Sequence, residues 1–191
     1  MIRFTGINHL AMATGDMEAT IRFWRDLLGM RLVAGIGHPG YRHYFLEISE
    51  TDMIAFFEWP HVKPLEPKDH GVPVEVPFAF DHISFGVAER ADLWELKAKL
   101  EAAGFWASEI IDHGFILSLY SFDPNNIAIE FSWNQPGIDL RKHPRLVDKN
   151  PPQVRLEGSE PQPGHWPAPE PIAREDMKIY PGEGREILDR S

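Results

Sequence analysis

Apolar and polar positions along the chain fall into the same succession of periods twice. From Gly6 to Ala13 they alternate as in a strand, after which Thr20, Phe23, Trp24, Leu27 and Leu28 recur at helical spacing. Asp16 is placed to cap that helix and Gly29 to end it. The order returns with a strand at Phe80 to Val87, followed by a helical face of Leu93, Leu96, Leu100 and Ala103 that stops at Gly104. Residues 6 to 59 laid over residues 79 to 133 each read strand, helix, three strands. His9 stands 73 positions before His82, and Ile54-Ala55-Phe56-Phe57 the same 73 before Ile127-Ala128-Ile129-Glu130. The repeat predicts an α+β fold: two βαβββ modules, 1–59 and 79–133, forming a curved mixed sheet around a metal-binding hollow. A linker rich in proline and charge, 60–78, joins them.

Beyond Trp133 the pattern stops. Residues 134 to 191 hold 10 of the 17 prolines, among them Pro161, Pro163, Pro167, Pro169 and Pro171, and show no sustained apolar period. They predict an extended Pro-rich C-terminal arm. Either it packs on the cleft or on a neighbouring subunit, anchored by Trp166 and Tyr180, or it is a solvated tail.

Composition narrows the chemistry. With 43% hydrophobic and 12% aromatic residues in 191, the chain can bury a sizeable core. It has no cysteine, which removes disulfides, thiolate metal sites and thiol nucleophiles and leaves only nitrogen and oxygen ligands. A formal net charge of −10 without a dense Lys/Arg cluster argues against nucleic acid and anionic membranes as partners. No apolar run approaches the roughly 20 residues of a membrane span, and Met1 to Gly6 carries no apolar leader, so a cytoplasmic protein with a small-molecule partner is expected.

Strand parity sorts the candidate ligands. His9 shares a face with Ala11 and Ala13, His82 with Ser84 and Gly86, and Glu130 with Ala128 and Ser132; the bulky neighbours all take the opposite face. A lone histidine is more often a core or surface residue than a ligand. Two at matching repeat positions, each among small residues and joined by a carboxylate, predict a two-histidine, one-carboxylate site on a divalent metal: Fe(II), with Mn(II) or another metal as alternatives. Glu58 is a conceivable fourth ligand, but the overlay sets Phe57 opposite Glu130 and parity turns Glu58 away unless a bulge intervenes.

Ile111-Asp112-His113, Leu119-Tyr120, Asp123-Pro124-Asn125-Asn126 and Glu130 together resemble the signature of extradiol ring-cleavage dioxygenases. These belong to the vicinal-oxygen-chelate superfamily, with glyoxalase I and the fosfomycin and bleomycin resistance proteins. The resemblance covers residues 6 to 133; Asn126 replaces the usual glycine, and asparagine is well suited to a left-handed turn. It implies that Glu130 ligates the metal, that His113 donates a hydrogen bond near bound oxygen, and that Tyr120 bonds a substrate hydroxyl. The implied reaction is Fe(II)-dependent cleavage of a small catechol-like aromatic substrate with O2, in a homo-oligomer, with Phe45, Phe57 and Phe115 as pocket-lining candidates. One family feature is missing. Where the acid/base histidine is expected, the hairpin reads Ser49-Glu50-Thr51-Asp52, leaving His43, His61 or His70 as substitutes. The alternative is a non-redox isomerase, epimerase, lyase or group-transfer enzyme of the glyoxalase branch, for which a fourth protein ligand would speak; a second alternative is a resistance-type binding protein that sequesters its ligand.

Overall fold

A computed structural model describes residues 5–75, 79–162, 164 and 166–189. Residues 76–78 of the expected linker and Pro163 of the expected arm lie outside them. The first module runs β1 (His9–Thr14), α1 (Met17–Ile21), β2 (Arg31–His38), β3 (Tyr41–Glu47) and β4 (Met53–Glu58). The second runs β5 (Ile83–Gly86), α2 (Asp92–Ala102), β6 (Ile111–Asp112), β7 (Ile116–Phe122) and β8 (Ala128–Asn134). Instead of one continuous curved sheet there are two four-stranded sheets, ordered β1-β4-β3-β2 and β5-β8-β7-β6. In each, the module's first and last strands pair in parallel and the others are antiparallel. β1, which carries His9, and β5, which His82 immediately precedes, are thus both sheet edges.

Local chemistry sets the helices. Asp16 Oδ1 accepts the Ala19 N–H at 2.9 Å, the predicted cap. After Ile21 the helix widens into a π-helical stretch, Arg22–Leu27, with Leu28 N–H donating to the Phe23 carbonyl five residues back at 3.0 Å. Gly29 ends it at φ 82°, a conformation that costs glycine little. The predicted face of α2 is the buried one: Leu93 and Leu100 are fully buried, and Leu96 packs against the same core.

That core is shared. Trp24, fully buried, meets Phe56 of the first sheet at 5.9 Å and Phe85 of the second at 5.4 Å between ring centres, and Phe23 meets Phe105 at 4.7 Å. The faces of both sheets carrying Ile54, Phe56, Ile129 and Phe131 look into it. The opposite faces, which carry the ligand candidates, are therefore turned outward. A polar interlock adds to the joint: Thr14 Oγ1 donates to Asn125 Oδ1 at 2.7 Å, and Asn125 Nδ2 donates to Thr20 Oγ1 at 3.2 Å.

The linker crosses the end of β1 so closely that a Cβ on Gly15 would run into the Val62 carbonyl oxygen. Because that obstacle is backbone, Gly15→Ala is expected to destabilise the chain by about 1–3 kcal/mol, read as a lower urea midpoint.

Beyond β8 the chain holds only short turns of 3₁₀ helix and a final helix α3 (Glu186–Asp189) among the described residues. The expected anchors stand in solvent, Trp166 at 86% and Tyr180 at 78% exposure. The segment is held instead by Glu183, which accepts from Tyr41 Oη at 2.6 Å, and by Glu186, 3.2 Å from His38 Nε2. No helix among the described residues is long and apolar enough to cross a membrane.

Candidate metal centre

On the outward face of the second sheet, β8 places Glu130 directly opposite Tyr120 of β7 and Ser84 of β5. Glu130 is 4% exposed, and His82, just ahead of β5, brings its Nε2 to 3.1 Å from Glu130 Oε2. Burial by itself would raise the Glu130 pKa. The Ser118 and Ser84 hydroxyls, the nearby His82 and the Tyr120 hydroxyl outweigh it, and the carboxyl titrates below its ordinary range. His82 Nδ1 lies 2.7 Å from Asp81 Oδ1. Asp81 is itself held by the Lys68 ammonium and the Gly71 N–H, and these with His82 depress its pKa strongly. A proton on Nδ1 given to Asp81 leaves the Nε2 lone pair facing a carboxylate oxygen, an arrangement completed by a proton or a metal cation.

His9 repeats this device. Its Nδ1 lies 2.8 Å from Asn8 Oδ1, so each histidine is oriented through Nδ1 by the residue before it, and Nε2 is the nitrogen presented outward. The overlay of the two repeats contains this signal, since Asn8 and Asp81 are also 73 apart. The chain does not bring His9 to His82 and Glu130, however. His9 is exposed on the first module's outward face, with its ring edge-on to Phe45 at 5.5 Å. Among the described residues, no three His, Asp or Glu side chains converge as a metal site.

Glu58 faces the helix side, as parity predicts. Its Oε1 accepts the Met17 N–H at 2.7 Å and its Oε2 pairs with Arg42, beside a cleft of about 550 Å³ that also exposes Arg22 and Arg25. The overlay misjudged the register of β4. His9 pairs with Met53 and Ala11 with Ala55, whereas Ser84 pairs with Glu130, so Ala55 and not Phe57 occupies the position equivalent to Glu130. Position 55 is fully buried and has no ligating atom.

The second module's hollow is a cavity of about 440 Å³ lined by His70, His82, Trp106, His113 and Tyr120. His113 Nε2 and Tyr120 Oη lie 2.9 Å apart, so the two residues marked by the dioxygenase signature do meet. Burial, followed by the Glu130 charge, raises the Tyr120 pKa, so the phenol is a hydrogen-bond donor at neutral pH. His70 of the linker closes one side, 4.7 Å from the Tyr120 ring, with Nε2 3.0 Å from the Ile129 carbonyl. His61 is exposed in a turn at φ 81°. Phe57 stacks on the His43 ring, while Phe115 is 40% exposed. The β3–β4 hairpin is closed by Ile48 N–H to the Asp52 carbonyl, 3.0 Å, and supplies no histidine.

Residues 6–131 match the model of the Glyoxalase/Bleomycin resistance protein/Dioxygenase superfamily. The chain belongs to this superfamily. Among curated proteins, a lactoylglutathione lyase of Haemophilus influenzae is 26% identical over 134 residues, 68% of this chain and 93% of that one. The glutathione transferase FosA of Serratia marcescens is 28% identical over 126 residues, 65% of this chain and 77% of that one. A glyoxylase/bleomycin resistance protein/dioxygenase domain from Frankia sp. EAN1pec superposes with a TM-score of 0.59 at 20% identity, covering 70% of this chain and all of that one, which is a likeness of fold. The superfamily model spans both modules to near the end of β8 and leaves residues 134–191 outside.

Proposed function

We propose that the chain is a divalent-metal-dependent enzyme of the glyoxalase branch, catalysing non-redox isomerisation, lyase or group-transfer chemistry at a site shared between two copies of the chain. The observation that carries this is the matched presentation of Nε2 by His9 and His82 on the two open sheet edges. Placing β1 of one copy beside β5 of another joins edge to edge and brings His9 to the partner's His82 and Glu130, and a twofold axis makes two such sites. The donor set, two imidazole nitrogens and one carboxylate, suits Mn(II), Fe(II) or a similar ion. A cation held there supplies Lewis-acid activation of a substrate chelating it through two adjacent oxygens. Tyr120 and His113 are the hydrogen-bonding groups beside that position, and His70 and Trp106 line the cavity with them.

The comparisons support this branch over the ring cleavage expected from the signature, because the two curated relatives are a lyase and a transferase. Ring cleavage of a catechol-like substrate with O2 is the second reading. It is favoured by the His113–Tyr120 contact and by the engagement of Glu58, the fourth-ligand candidate, with α1. It ranks lower because the hairpin that should bring the acid/base histidine has none, and because three ligands leave room for a chelated substrate in either chemistry.

The test uses protein loaded with Mn(II) or, without air, Fe(II). Formation of S-lactoylglutathione from methylglyoxal and glutathione, or conjugation of glutathione to an electrophilic probe, supports the first reading. Oxygen uptake with catechols instead would replace it by the second, and stoichiometric ligand binding without turnover would point to a sequestering protein. Asp81→Asn, which keeps the size but weakens the grip on His82, is expected to lower Mn(II) affinity about 10- to 100-fold in titration calorimetry.

A further inference from the structure

The outward face of the first sheet carries a histidine that the proposed ligand set does not use. His43 on β3 is 6% exposed, and its ring stacks on Phe57 at 3.6 Å between centres and lies 4.4 Å from Phe45. Phe45 in turn touches the His9 ring, so His43 lies one aromatic ring away from a proposed metal ligand. Its Nδ1 is 3.3 Å from Glu183 Oε1, and its Nε2 is buried with no partner among the described residues. Glu183 arrives from the far end of the C-terminal segment, in a short turn (Glu183–Arg185) ahead of α3, and Tyr41 donates to its other oxygen. A buried imidazole nitrogen without a partner is costly unless something outside the chain completes it.

We propose that His43 is the acid–base residue of the active site and that Glu183 is its positioning residue, which makes the C-terminal segment part of the catalytic apparatus. The proposal rests on the shared-site reading, since His43 lies on the same sheet face as His9 and would enter the closed site with it. By accepting the Nδ1 proton, Glu183 fixes the tautomer and leaves the Nε2 lone pair as the base. Nε2 takes a proton from a substrate held beside His9 and returns it to another atom of the same molecule. The C–H or O–H bond broken is matched by the one formed, and no electrons or co-reactant are required. Among the described residues, the charged and titratable groups acting on His43 are Glu183 and His9, and Tyr41 reaches it only through Glu183. Burial lowers the imidazole's pKa and outweighs the opposing effect of Glu183, which keeps the ring neutral and able to accept a proton at neutral pH. Burial first, then the Glu183 bond, pushes the Tyr41 hydroxyl up to about 12, so it remains a donor to Glu183.

The experiment is long-range ¹⁵N–¹H correlation of the histidine rings in the Mn(II)-free 191-residue chain, with His43 assigned by its loss in His43→Gln. The expected spectrum shows His43 protonated on Nδ1 and bare on Nε2, and Glu183→Ala shifts it towards the Nε2–H tautomer. A wild-type ring protonated on Nε2, or a tautomer indifferent to Glu183→Ala, overturns the proposal. With Mn(II) restored and methylglyoxal plus glutathione as substrate, Glu183→Ala should lower kcat about 10- to 100-fold with KM and bound Mn(II) unchanged. An unchanged kcat also overturns it. Absence of wild-type turnover on every probe would remove the functional reading, while the tautomer measurement would still decide the positioning role.

Discussion

Glu130→Ala is expected to weaken Mn(II) binding by at least about a hundredfold and to reduce turnover to background while the chain remains folded. Glu130 is the only carboxylate in the proposed ligand set, and it is buried among Ser84, Ser118, Tyr120 and His82 with its pKa below the ordinary range. An anion held ionised at 4% exposure, facing an imidazole already tied through Nδ1 to Asp81, is an arrangement that a cation stabilises. Removing a buried carboxylate from the outward face leaves the shared core intact, so circular dichroism and the thermal midpoint should change little. Glu130→Gln preserves the volume and should lose the metal nearly as completely, which separates ligation from packing. A variant that still bound one Mn(II) per chain with wild-type affinity would remove Glu130 from the ligand set.

The second large effect falls on stability. Asp123 lies in the turn between β7 and β8, 2% exposed, and accepts four hydrogen bonds: from the N–H groups of Asn125 and Ile127, from Asn125 Nδ2 and from Trp24 Nε1. The last of these ties the second module's turn to the buried tryptophan of the first. Asp123→Ala strands several buried donors at once and is expected to cost about 3–5 kcal/mol, measured by urea unfolding. Asp123→Asn keeps part of the network and should cost roughly 1–2 kcal/mol. Burial raises the Asp123 pKa despite those four donors, so its charge is hydrogen-bonded but poorly solvated. Equal losses for the two variants would show that the turn does not depend on the acceptor count.

The Asp123 to Asn126 motif had been read from sequence as part of a catalytic signature, and the structure gives it a mechanical role. Asn126 does adopt the left-handed conformation that the departure from glycine suggested, at φ 58°, and its side chain also donates to the Leu65 carbonyl. Periodicity located both helices and their glycine stops because those depend on local spacing, and strand parity put Glu130 and Glu58 on opposite faces as the structure does, while His82 falls just outside its strand. Parity survives a two-residue register error, and for that reason Glu58 was read correctly although the overlay paired Glu130 with Phe57 in place of Ala55. What sequence could not supply was long-range. The shared core that turns the two hollows outward depends on Trp24 meeting Phe85, and the anchoring of the C-terminal segment depends on Glu183 reaching Tyr41 across 142 positions. Proline content marked that segment as extended, and its large aromatic residues drew attention to Trp166 and Tyr180, yet an acidic residue holds it.

The central claim is that the metal site closes between two chains, and subunit complementation tests it most directly. His9→Ala and Glu130→Ala proteins, each inactive and unable to bind Mn(II) tightly, are refolded together from an equimolar mixture. A shared site gives every mixed dimer one intact set, His9 from one copy facing His82 and Glu130 from the other. Tight Mn(II) binding should therefore return to about a quarter of the wild-type capacity. No recovery, in a mixture shown to form mixed dimers, would contradict a site built from two chains.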